Sequence, residues 1–227
     1  MRTNQFQLTN IDTDSISFCK PNGSPFNKEE IDSLIKDLNS NYEGLIEFAD
    51  DGYYPVFIVL KSKNYIMVDE KGKRKIKGSS LKSATLEPAL KQMLNEFIDA
   101  LIEDRQQDMV SIYHKYIKMV RDDITDIKPW SKKMQLSPTT FNSTRANETK
   151  VIDAIKGTEY KSGDRIYVYT TPEDTLRLAE QFDGRYDKAT YYEKLFKTTK
   201  RFETILPVRD MFLNYSLKKN KAKVDEL

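Results

Sequence analysis

The spacing of apolar residues changes near residue 86, and that change restricts the folds open to the chain. Before it, apolar residues alternate with polar ones or occur as short β-rich runs: Phe6 and Leu8, Ile16 and Phe18, then VFIVL (residues 56–60) and YIMV (residues 65–68). Alternation of period two indicates strands. From about Glu87 to Arg121 the spacing becomes helical, with Leu90, Met93, Leu94, Phe97, Ile98, Leu101 and Ile102 on one stripe and Pro88 in the first turn. We therefore expect an α+β chain. An α/β layer should occupy residues 1–85, and a mainly helical unit residues 86–227.

The strand patterns on either side of IDTDS (residues 11–15) predict a β-hairpin with Asp12 and Asp14 at or beside its turn. Asn22-Gly23-Ser24-Pro25 breaks the pattern. FNKEEIDSLIKDLNSNY then reads as a helix, with Ile31, Leu34, Ile35 and Leu38 on one face and Asn27 and Glu30 spaced as a capping box. Glu70-Lys71-Gly72-Lys73 reads as a turn between strands. The stretch 87–121 reads as one long helix, residues 137–149 as a polar connector, RIYVYTT after Gly163-Asp164 as a short β excursion, and about 187–204 as a last helix.

Composition excludes several classes. One cysteine, Cys19, leaves no disulfide framework and fits a reducing compartment. The N-terminal stretch MRTNQFQLTN lacks the apolar core of a signal peptide, and no apolar run approaches a membrane span. The closing VDEL has no use as a retention tetrapeptide without such a signal. We expect no membrane association and a cytoplasmic location, in a host cytoplasm if the chain is viral. His114 is the only histidine, which argues against a histidine-based site.

Two segments carry candidate chemistry. Two carboxylates about 4 Å apart repel by about 4 kcal/mol at an effective dielectric near 20. A polyvalent cation removes that penalty, and Mg²⁺ favours one or two carboxylates completed by substrate phosphates and water. Taken alone, DTDS reads first as a solvated turn, since Asp and Ser are ordinary turn formers. The second segment, residues 61–82, holds eight basic residues and two acidic ones within an overall charge of only +2. Its lysines are interleaved with Tyr65, Ile66, Met67, Val68 and Ile76, so the charges lie on strand faces. Such a surface can hold a phosphate backbone, with Gly78-Ser79-Ser80 allowing close approach. A lysine-protected edge strand fits the same charges.

Several of these motifs, in order, resemble the C-terminal part of a family B DNA polymerase, most closely its phage versions. Asp12-Thr13-Asp14-Ser15 matches the DTDS of the palm motif C, Lys63-Asn64-Tyr65 the K-x-Y motif, and Lys77-Gly78 the K-G step after it. GSSLKSATLEPALKQ resembles the entry to the thumb; NETKVIDAIKGTEYKSGDRIYVY resembles the thumb's helix, turn and strand, and YDKATYYEKLFKTTKRF its terminal helix.

The resemblance implies a partial antiparallel palm sheet with a helix over residues 1–85 and a mainly helical thumb over 86–227. It implies that Asp12 and Asp14 bind catalytic Mg²⁺ beside primer–template DNA and a dNTP, with Thr13 and Ser15 shaping the turn. Asp51 falls where relatives carry an auxiliary glutamate and is a further metal candidate, one methylene shorter. Lys61, Lys63, Tyr65, Lys77, Gly78, Ser79 and Lys82 would hold DNA.

No counterpart of the family's first metal-binding motif, or of its nucleotide-binding fingers helix, occurs in the sequence. The expected two-metal site must then be completed by a carboxylate outside this chain. A separate chain carrying motifs A and B is the expected partner, and the chain alone is expected to be inactive. A truncated gene is the other explanation. The alternative function is a non-catalytic DNA-binding module derived from a polymerase thumb. Elsewhere, Trp130 and Cys19 read as packed side chains, and Lys218, Lys219, Lys221 and Lys223 as a solvated basic tail.

Overall fold

The computed structural model describes residues 6–42, 44, 46–82, 85–217 and 223–226; the side chain of Ser80 and three of the four tail lysines (Lys218, Lys219 and Lys221) lie outside the described residues. The chain is α+β and divides into two compact units, Met1–Lys82 and Ser83–Leu227.

The first unit opens with an antiparallel hairpin of β1 (Gln7–Ile11) and β2 (Ile16–Cys19). Ile11 faces Ile16, so residues 12–15 form the loop, closed by the Asp12 N–H donating to the Ser15 carbonyl at 2.9 Å. A bulge between Leu8 and Asn10 shifts the register of β1. Helix α1 (Lys28–Ser40) follows. Its N-terminus has the capping box that the sequence predicts. The Glu30 N–H donates to Asn27 Oδ1 at 2.9 Å, and the Asn27 N–H to Glu30 Oε2 at 2.8 Å. Glu30 also pairs with Lys20 at 2.7 Å, and Phe6 packs on Phe26, tying the hairpin to the helix start.

After a segment without regular structure, held to α1 by paired hydrogen bonds between the Asn39 amide and the Phe48 backbone, three strands form a meander. These are β3 (Val56–Lys61), β4 (Asn64–Val68) and β5 (Arg74–Lys77). The central strand β4 is buried along its whole length. Asp69 shapes the turn before β5 by accepting the Lys71 and Lys73 N–H groups. The short helix α2 (Ser79–Lys82) ends the unit. Its strands form two separate antiparallel sheets, the β1–β2 hairpin and the β3–β4–β5 meander.

In the second unit, α3 (Pro88–Ile102) buries the predicted stripe of Leu90, Met93, Leu94, Phe97, Ile98 and Leu101. The long helix expected over 87–121 is in fact two, since α4 spans Asp108–Arg121. Asp104 takes a left-handed φ of 54°, and the Arg105 N–H donates to the Ala100 carbonyl at 2.7 Å. That is a Schellman stop, in which a left-handed residue lets the next N–H satisfy a terminal carbonyl. The run Glu103–Asp108 has no apolar side chain to continue the stripe, and Arg105 pairs with both Glu103 and Asp108 across the break.

The residues read as a connector include the helix α5 (Pro138–Asn142) and the first turn of α6 (Ala146–Ile155). Strands β6 (Lys132–Gln135), β7 (Arg165–Thr170) and β8 (Leu176–Leu178) make a three-stranded antiparallel sheet, larger than the single excursion anticipated. It packs Ile166, Val168 and Leu178 against Val151 and Ile155 of α6. Helices α7 (Lys188–Thr199) and α8 (Val208–Met211) close the unit. Trp130 is a packing anchor, set edge-on to Tyr116 and Tyr191.

Candidate metal and nucleic-acid site

Hairpin β1–β2 holds Asp12 at its tip by local bonds. Oδ1 accepts the Thr13 N–H at 2.8 Å, and Oδ2 accepts the Tyr65 hydroxyl at 2.9 Å. Tyr65 lies on β4, 53 residues away, and is only 4% exposed. Its ring packs on Phe57 of the neighbouring strand, which fixes where the hydroxyl points. The Asp12 carboxyl is held below its ordinary range, first by the Thr13 N–H, then by the Tyr65 hydroxyl, with the charge of Lys63 assisting. Tyr65 shifts the other way, pushed up to about 12 by burial, by its bond to Asp12 and by the charges of Asp12, Asp14 and Asp51.

Asp14 is exposed and makes no hydrogen bond or ion pair among the described residues. Thr13 and Ser15 are exposed loop residues, and the Ser15 carbonyl closes the turn. Asp51 is 86% exposed on its side chain and pairs with Lys75 at 3.8 Å, while Lys75 also donates to the Tyr54 hydroxyl. The three acids share an electrostatic neighbourhood around Tyr65, but among the described residues no three potential ligand side chains converge as a metal cluster. Asp12 and Asp14 offer two hard oxygen donors on one short loop, one shaped by hydrogen bonds and the other unpartnered. That donor set fits Mg²⁺, which takes few protein carboxylates and keeps other positions for water and phosphate.

The K-x-Y and K-G residues meet through strand register. Tyr65 faces Lys77 across β4–β5, and Lys61 faces Asn64 across β3–β4, with Ser62 and Lys63 as the turn. Lys63 sits at φ 59°, a left-handed conformation that costs a non-glycine residue roughly 1–2 kcal/mol. Gly78, at φ 101°, lies directly against this turn. A Cβ there would stand 2.6 Å from the Lys63 carbonyl oxygen and closer still to Asn64 Oδ1. Asn64 is buried, and its amide donates to the Ser62 carbonyl at 3.0 Å.

Lys61, Lys63, Lys77, Ser79 and Lys82 are all exposed, and among the described residues none of the four lysines forms an ion pair. They stand at one end of the meander, the end that carries Tyr65 and hence the acidic hairpin. Tyr65 itself is buried, so what it presents is a hydroxyl to Asp12. Sequence reading missed Asn64, which stands inside the K-x-Y motif as its variable position; only the glycine at 78 hinted at a close neighbour.

No family model matches the chain, and no curated protein matches it. Solved structures do. One is the family B DNA polymerase from the hyperthermophilic archaeon Pyrobaculum calidifontis, with a TM-score of 0.65 at 14% identity. The match covers 88% of this chain and 27% of that polymerase, so the chain spans about a quarter of that protein's length. At this identity the likeness is one of fold, and the fold is polymerase-like. No helix among the described residues is long and apolar enough to cross a membrane.

Proposed function

We propose that this chain is the C-terminal palm and thumb portion of a DNA-directed DNA polymerase. The observation that carries the reading is the hydrogen bond from Tyr65 to Asp12. It joins the DTDS loop to the K-x-Y strand, so the motifs that resemble the family in sequence also meet in space. The polymerase-like fold supports it independently.

In this reading Asp12 and Asp14 hold Mg²⁺, the ion that would stabilise charge on a transferring phosphoryl group. Tyr65 keeps the Asp12 carboxylate ionised and aimed. The turn at Lys63 and the Lys77-Gly78 step present ammonium groups and backbone to the phosphates of a primer–template duplex. These contacts position DNA without reading its sequence. Two carboxylates leave the two-metal site one acid short, so the chain works with a segment carrying motifs A and B, on this or another polypeptide. The Leu8 and Ile11 side chains, 51% and 59% exposed on β1, are apolar surface such a segment would cover.

The test is reconstitution. The chain alone should incorporate no dNTP on a primed template. Mixed with a polymerase portion supplying motifs A and B, it should restore synthesis, and Asp14→Ala should abolish that synthesis. Restored synthesis that survives Asp14→Ala would remove the catalytic assignment.

A further inference from the structure

The β6–β7 sheet of the second unit buries Tyr169 against Phe182 at one end of its outer face, and the rest of that face carries exposed cations. Ile166 and Val168 point into the core, with Met134 beside them. By strand alternation, Lys133, Gln135, Arg165 and Tyr167 share the opposite face, where Lys133 stands across from Tyr167 and Gln135 from Arg165. Lys128, from the 3-10 turn before β6, reaches the same place. Its Nζ lies 5.2 Å from the centre of the Tyr167 ring, and that of Lys133 lies 6.0 Å from it.

Two ammonium groups gathered on one aromatic ring repel each other, and a cation–π contact at an exposed site offsets only about 0.5–1 kcal/mol. Among the described residues, Lys128, Lys133 and Arg165 are exposed and make no ion pair with an acid, whereas Lys150, Arg177 and Arg185 in the same unit are each paired. Asp126 accepts the Lys128 backbone N–H at 3.0 Å and forms no ion pair with its ammonium. The Tyr167 hydroxyl has no partner among the described residues. Three cations and a free hydroxyl donor on one sheet face complement a phosphate-bearing chain.

We propose that this face is a second phosphate-backbone contact for nucleic acid, built from Lys128, Lys133, Arg165 and the Tyr167 hydroxyl. The inference rests on the DNA-binding reading of the chain. Its contribution is electrostatic and indifferent to base sequence.

The experiment measures binding of the full chain to a primer–template duplex over a range of salt, for the unaltered protein, a Lys128→Gln/Lys133→Gln variant and an Arg165→Gln variant. The expected result is a loss of about tenfold or more in affinity for the double variant, with its log K against log salt slope reduced by about 2. Arg165→Gln should reduce the slope by about 1. Binding by the unaltered chain with slopes unchanged in both variants would overturn this inference alone. No salt-sensitive binding by the unaltered chain would overturn the DNA reading with it. Loss of binding to an acidic peptide, with DNA binding intact, would reassign the face to a protein partner and overturn the proposal.

Discussion

The Tyr65 hydroxyl donates to Asp12 Oδ2 across 2.9 Å, so a buried strand of the meander fixes the carboxylate at the tip of a separate hairpin. Asp12 is therefore tied to the strand that follows the lysine-bearing turn, and the bond has consequences for pH as well as for geometry.

Tyr65→Phe should raise the Asp12 carboxyl value toward the ordinary 3.8, read by NMR titration of the Asp12 side chain. Because the folded-state value is depressed, the stabilisation linked to Asp12 is present above the unfolded value and is lost as pH falls through the folded one. The unaltered protein should thus lose stability below about pH 4, and Tyr65→Phe should flatten that loss. Tyr65 works in the opposite direction. With its value raised from 10.0 to about 12, its contribution is complete below pH 10 and disappears as pH rises toward 12.

Gly78→Ala should cost the first unit about 2 kcal/mol or more in chemical denaturation, since it adds a Cβ against the Lys63 carbonyl and Asn64 at a φ of 101°. Gly72→Ala is the control. Its φ is also positive, but nothing lies within 4 Å of the added Cβ, so the cost should be about 1 kcal/mol.

In the second unit, Glu87 is 5% exposed and pairs with Lys194 at 2.7 Å, joining the N-terminal end of α3 to α7. Lys194→Met leaves the carboxylate buried without its cation and should cost about 3 kcal/mol. Adding Glu87→Leu removes the stranded charge and should recover most of that loss, measured as the shift in denaturation midpoint.

Lys63→Ala should weaken DNA binding to a similar degree across unrelated sequences and lower the salt slope by about 1, because Lys63 is exposed, has no ion pair among the described residues and, in the proposed function, meets phosphate. An effect confined to one sequence would mean that it reads bases instead.

Local rules made part of this molecule legible in the sequence. The DTDS hairpin, the Asn27–Glu30 capping box and the buried stripe of α3 each follow from residues within a few positions of one another. The helix break at Asp104 was hidden because Glu103–Asp108 is built from residues helices also accept, and its stop comes from a left-handed aspartate where a glycine would have advertised it. Helix α5 was hidden by its polar composition, which resembles a connector, and β6 and β8 by their length of four and three residues, whereas α6 was legible only through the resemblance of NETKVIDAIKG to a thumb helix. At the site, the residues could be listed from the motifs, but their relation could not. Tyr65 resembled a DNA contact in sequence, whereas its burial turns its hydroxyl onto Asp12, a partner 53 residues away that no local spacing encodes.

The central claim is that Asp12 and Asp14 together form a divalent-metal site, and Mn²⁺ titration of the chain followed by NMR tests it most directly. Paramagnetic broadening should centre on the amides of residues 12–15 and extend to Tyr65. It should vanish in an Asp12→Asn/Asp14→Asn variant whose remaining spectrum is unchanged. Broadening spread evenly over the exposed carboxylates, with residues 12–15 no more affected than Glu70 or Asp174, would contradict the claim.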